Sequence, residues 1–174
     1  MGGMGVGVSR SGYSEDLDTW ALVRWRGAVK SALRGSRGQQ FLKEALAAFD
    51  AMPEKRLASE SLVNDDGDFC TLGIVGHVRG IDLGLIDPED YEYVSRVFGI
   101  SEAMAREIVY LNDEAISDTK YIDVEICGPL RPYEYRMRAA CVPNDGADFK
   151  RWGYMRNWIA SNINSTTDTA QGGV

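Results

Sequence analysis

The chain has 174 residues, 44% of them apolar and 26% charged, with a formal net charge of −7. That is enough chain for one apolar core without metal or disulfide staples. No stretch approaches the roughly 20 consecutive apolar residues of a membrane span. The first residues, MGGMGVGVSRSGYS, lack the apolar region of a secretory signal. No membrane partner is therefore expected, and residence is expected in a cytoplasm.

Three cysteines, Cys70, Cys127 and Cys141, are too few and too widely spaced for a disulfide framework, and no C-x-x-C pair suggests zinc. They read as reduced, mostly buried thiols. A single pair between Cys127 and Cys141 would need the two to lie on adjacent strands. Charge is sorted along the chain. Residues 20–56 carry eight Lys/Arg against three Asp/Glu; residues 60–125 carry four against sixteen; residues 131–158 carry six against three. Such segregation favours electrostatic docking, within the molecule or with a partner.

In chain order, residues 1–13 offer little to pack and read as a flexible tail. A first helix is expected to start between Ser14 and Asp18, where several side chains can cap it. Leu22, Trp25, Val29, Ala32 and Leu33 then form an apolar stripe at helical spacing. Arg26, Lys30 and Arg34 fall at i, i+4 and i+8 on another face. Gly35 ends this helix. Ser36 with Gln39 forms a capping-box pattern for a second helix, buried through Phe41, Leu42, Ala45, Leu46, Phe49 and Met52 and stopped by Pro53.

Asn64-Asp65-Asp66-Gly67-Asp68 is turn chemistry. It lacks the alternating oxygen ligands and terminal glutamate of a calcium loop, so no metal is assigned there. Residues 69–80, FCTLGIVGHVRG, fit a short helix with a smooth face of Gly73 and Gly76, capped by Gly80. Asp87-Pro88 marks another helix start, with Asp87 as N-cap and Pro88 at the first helical position. Tyr91, Val94, Val97 and Phe98 supply its apolar face, and Gly99 closes it. Ser101 caps the next helix, in which Met104, Ile108 and Leu111 align.

Between residues 120 and 142 the period changes to two. Ile122, Val124 and Ile126 alternate with polar positions, as do Tyr135, Met137 and Ala139, around Gly128-Pro129-Leu130-Arg131-Pro132. This predicts a β-hairpin arm. A register with Glu125 opposite Arg136 and Asp123 opposite Arg138 would pair opposite charges across the strands. Two strands alone are marginal, so the arm is expected to lean on the helices or on a partner. Asp145 or Asp148 begins a last helix, with Phe149, Trp152, Met155 and Ile159 as packing positions and Tyr154 and Trp158 on its flank. Residues 163–174 read as a second flexible tail, leaving 14–162 as one domain. The expected fold is mainly α: five or six short helices with one β-hairpin arm.

Chemistry-bearing constellations are sparse. His77 is the only histidine, with no adjacent nucleophile and no second histidine; it reads as a structural or solvent-facing side chain rather than a general base. Asp65, Asp66 and Asp68, or Asp113 with Glu114, have nothing that fixes them as catalytic carboxylates. The helices around Gly99 have the spacing of a helix-turn-helix, but Glu102, Glu107, Asp113 and Glu114 outnumber Arg106, which disfavours approach to phosphates. A packed helical corner is expected instead. No catalytic residue, cofactor or metal is assigned. The partner-binding candidates are the stripe Arg26, Lys30 and Arg34, with Arg37 just beyond and Trp20 and Trp158 as the least firmly buried tryptophans.

The blocks WALVRWRGAVKSALRGSRGQQFLKEALAAFDAMPEKRL, FGISEAMAREIVYLNDE and RWGYMRNWI resemble a family of short bacteriophage and prophage proteins of proteobacteria. The resemblance covers residues 9 to about 115 and the last helix; residues 118–145 look like an addition to it. It implies a phage origin, the host cytoplasm and a mainly helical fold, and brings no catalytic residues with it. On this basis the protein is expected to be a non-enzymatic accessory protein that binds a host or phage protein, inhibiting a host process or defence system. The alternatives are a nucleic-acid-binding module using the basic face, and a structural virion component. Oligomeric state is left open.

Overall fold

The computed structural model describes residues 18–129 and 136–164. The described residues form six α-helices and one antiparallel hairpin, in the order α1 (Thr19–Arg34), α2 (Ser36–Ala51), α3 (Thr71–Val78), a 3-10 turn (Leu83–Leu85), α4 (Tyr91–Phe98), α5 (Glu102–Glu114), β1 (Thr119–Glu125), β2 (Met137–Pro143) and α6 (Ala147–Ser161). The protein is mainly α with one hairpin, as the periodicity predicts.

The core is built from one face of each helix beyond α1. Phe41, Leu42 and Phe49 of α2 meet Leu72 and Val75 of α3, Val94 and Phe98 of α4, Met104 and Ile108 of α5, and Met155 and Ile159 of α6. Helix α5 lies at the centre, touching α1, α3, α4 and α6. It is thus a core helix and α4–α5 a packed corner, with Gly99 at φ +69° making the turn. Helix α1 is peripheral: Val29 is its buried residue, and Ala32 and Leu33 rest against the core.

Three helix starts differ from their predicted caps. Asp18 does cap α1, its Oδ1 accepting from Ala21 N at 2.7 Å. The Ser36–Gln39 capping box does not form. Gly35 is the N-cap of α2 as well as the C-cap of α1, so Ser36 already lies inside the helix and Gln39 is released for another use. Asp90, not Asp87, caps α4 by accepting from Tyr93 N at 3.0 Å. Asp87 instead accepts from Glu89 N within a preceding turn, and Pro88 sits in that turn rather than at the first helical position. Helix α6 begins after Gly146, which takes the left-handed conformation at φ +71°, rather than at an aspartate cap.

The smooth face of α3 is real, and two different neighbours press on it. A Cβ at Gly73 would stand 1.9 Å from the carbonyl oxygen of Leu62, and one at Gly76 would meet Leu83 and Phe98. Gly73 thus admits the 57–70 segment, which is pinned by Cys70 N donating to Leu62 O at 3.1 Å and Ala58 N to Phe69 O at 2.9 Å, while Gly76 admits the side chains of Leu83 and of Phe98 at the end of α4.

The hairpin departs most from expectation. Asp123 faces Ala139, Val124 faces Arg138 and Glu125 faces Met137. This is one residue away from the charge-paired register, and a one-residue slip moves side chains to the opposite face. Nor does the arm lean on the helices: every residue of β1 is exposed, and β2 is at most half-buried. Cys127 and Cys141 are exposed and only Cys70 is buried, which corrects the expectation of mostly buried thiols. Cys141 stands opposite Tyr121, six positions along the strand from Cys127 and so about 20 Å away, too far for a disulfide. The predicted turn residues Leu130, Arg131 and Pro132 lie outside the described residues, as do the expected N-terminal tail 1–13 and residues 165–174. Ile163, at the start of the expected second tail, packs against the core.

Candidate partner-binding surface

Helix α1 buries only the later part of its apolar stripe; Leu22, assigned to that stripe by spacing, is exposed. Val29, Ala32 and Leu33 turn toward α2 and α5. Trp25 packs beside Arg106, whose guanidinium lies 6.0 Å from the Trp25 ring and 4.5 Å from the Tyr91 ring. Arg26, Lys30 and Arg34 are left exposed on the adjoining face. Among the described residues no carboxylate stands within ion-pair distance of these three side chains.

They line a groove of about 350 Å³. Val29, Leu33 and Ile163 provide its apolar portion, Glu107 one acidic wall position, and residues 161–164 its far side. That far side is held by Gln39. Its Nε2 donates to Leu33 O at 2.6 Å and to Asn162 O at 2.8 Å, and its Oε1 accepts from Asn164 N at 2.7 Å. One side chain therefore ties the end of α1 to the residues after α6. The close α1–α2 junction beneath it requires Gly38, where a Cβ would stand 2.0 Å from Ala32 O.

The other predicted site residues are not gathered there. Arg37 lines a separate depression with Ser36, Gly38, Ser101 and Ala103. Trp20, 75% exposed, sits on the first turn of α1. Trp158 is half-buried against the core, and its carbonyl accepts from Ser161 Oγ and Asn162 Nδ2, both at 2.8 Å. The structure thus brings together Arg26, Lys30 and Arg34 and adds Glu107 and residues 161–164, which Gln39 anchors. Gln39 was visible only as a cap candidate, because a contact spanning 123 residues of sequence has no local signal.

The polar interior is also new. Arg151, only 1% exposed, donates Nη1 to Leu57 O at 2.8 Å and Nη2 to Ile116 O at 3.0 Å and Asp118 Oδ1 at 2.6 Å. Ser59 Oγ donates to the other Asp118 oxygen. Burial acts to raise the Asp118 pKa, but the hydrogen bonds from Arg151 and Ser59 prevail and hold the carboxyl below the ordinary aspartate value. Phe149, assigned to the core by spacing, is 61% exposed; Arg151 takes the inward place instead. Buried Asn112 accepts from Thr71 N and Oγ1 and donates to Ala58 O.

Among the described residues no group of three or more His, Cys, Asp or Glu is placed to hold a metal ion. His77 is exposed and stacked on Phe69 with ring centres 4.7 Å apart. Asp65, Asp66 and Asp68 lie in a turn closed by Asp68 N donating to Asn64 Oδ1 at 2.8 Å, with Asp68 facing Arg56 at 3.4 Å. No described helix is long and apolar enough to cross a membrane. What the arrangement offers is spaced cations, Arg26, Lys30 and Arg34, beside the apolar side chains of Val29, Leu33 and Ile163. Comparison with models of protein families, with curated proteins and with solved structures finds no match.

Proposed function

We propose that this is a non-enzymatic accessory protein of bacteriophage origin, acting in the host cytoplasm by binding a host or phage protein through the basic face of α1. The observation that carries the proposal is the groove of Arg26, Lys30 and Arg34, exposed cations one helical turn apart beside Val29, Leu33 and Ile163. An acidic partner surface with an apolar side chain between its carboxylates matches that pattern. The phage assignment rests on the sequence resemblance described above. It makes a host process or defence system the natural target.

The basic stripe also favours a second reading, a nucleic-acid backbone tracked by the same three side chains. The strongly acidic 60–125 segment, which supplies Glu107 to the groove, weighs against it.

Affinity capture from infected host lysate, with and without nuclease, beside an Arg26→Glu/Lys30→Glu/Arg34→Glu variant tests both. The expected result is a discrete protein that survives nuclease and is lost with the variant. Recovery of nuclease-sensitive material alone would transfer the site to nucleic acid.

A further inference from the structure

The hairpin sorts its charges by face. Residues opposite one another in an antiparallel pair project to the same side. Asp123 and Glu125 therefore share one face with Tyr121 and Met137. Lys120 and Arg138 share the other with Ile122 and Val124. Arg136, whose carbonyl accepts from Ile126 N at 2.7 Å, continues the ladder on that second face. Had the strands paired in the charge-matched register, the acids and bases would neutralise each other within one face. The observed register instead produces an acidic face and a basic face, back to back. Among the described residues none of these five charged side chains forms an ion pair. Both faces also expose apolar surface: Tyr121 and Met137 on the acidic side, Ile122 and Val124 on the basic side.

We propose that the hairpin is a self-association surface, with the acidic face of one copy stacked on the basic face of a second copy. The two faces are complementary in charge and alike in exposing apolar side chains beside those charges. A second copy supplies both halves of the match, whereas an unrelated acidic or basic partner would use one face and leave the other uncovered. Stacked sheets sit about 10 Å apart, close enough for Lys and Arg side chains to reach carboxylates on the facing ribbon. The contact is heterologous, so it propagates head to tail instead of closing at two copies. A seven-residue two-stranded ribbon covers about 23 Å by about 10 Å, far less than a stable complex buries. The association is accordingly weak and salt-sensitive.

Sedimentation velocity of the full chain, from micromolar to near-millimolar concentration and at low and high salt, tests the proposal. Two charge-reversed variants are needed: Asp123→Lys/Glu125→Lys, basic on both faces, and Lys120→Glu/Arg136→Glu/Arg138→Glu, acidic on both. All five positions are exposed and outside the core, and unchanged helical circular dichroism confirms folding. The expected result is wild-type association that grows with concentration and fades with salt, weakened roughly tenfold or more in each variant alone and restored when the two variants are mixed. A wild-type chain that stays monomeric throughout overturns the proposal. So does association that neither variant weakens, or a mixture that fails to recover it.

Discussion

At the scale of single residues, the least ordinary feature is a buried arginine. Arg151 satisfies the carbonyls of Leu57 and Ile116 and meets Asp118 at the rim. Removing the guanidinium strands those carbonyls, at about 1–3 kcal/mol for a buried group left unpaired. Arg151→Met, which keeps much of the side-chain volume, is expected to destabilise the fold within that range in urea titrations. Asp118 gives the same cluster a pH dependence. Its folded pKa lies below the ordinary 3.8, so its stabilising contribution is fully present above that value and is lost as pH falls through the folded pKa. The stability difference between wild type and Asp118→Asn should therefore be constant near neutrality and shrink at acidic pH, below about 4. A difference that grew on acidification would contradict this arrangement. The cluster could not be read from the chain: an arginine on a helix reads as solvated, and its acceptors lie in irregular segments 94 and 35 residues away.

At the scale of elements, the decisive device is the junction of α1 with α2. Gly35 serves both helices as a cap, and Gly38 lets the chains approach. Replacing Gly38 by alanine adds helix propensity worth about 1 kcal/mol. It also drives a methyl group to within 2.0 Å of a backbone oxygen. The overlap dominates, because backbone cannot rotate aside as a side chain can. Gly38→Ala is expected to lose about 1–3 kcal/mol net, seen as a lower urea midpoint with an unchanged slope. Helix identities were legible because 3.6-residue spacing of apolar side chains is a local signal. Their caps were less so. Ser36 and Asp87 are both good caps by type, and the choice fell to Gly35 and Asp90 through chain geometry one to three residues away.

At the scale of the whole molecule, stability is unevenly distributed. Helices α2 to α6 share one core, while β1 and β2 bury almost nothing. Amide hydrogen exchange should show the slowest protons in α2, α3 and α5. The β1–β2 ladder should exchange through local opening with far lower protection. Hairpin protection equal to that of α5 in dilute solution would mean that the arm is covered in a way the fold does not show. The basic face of α1 and the hairpin lie on separate elements with no shared side chain, so variants at one surface should leave binding at the other unchanged.

Amphipathic spacing, glycine and proline punctuation and the switch from period 3.6 to period two were sufficient to define a mainly helical chain with one hairpin, and to single out Arg26, Lys30 and Arg34 as neighbours. Those properties depend on residues within a few positions of one another. Tertiary structure alone decided that Gln39 tethers the far wall of the groove, that Arg151 points inward where Phe149 does not, and that Asp123 and Arg138 project to opposite sides of the ribbon. Each of these turns on a contact or a register between distant segments, set by which backbone groups need partners and which surfaces can close together. Composition and local periodicity carry no record of either.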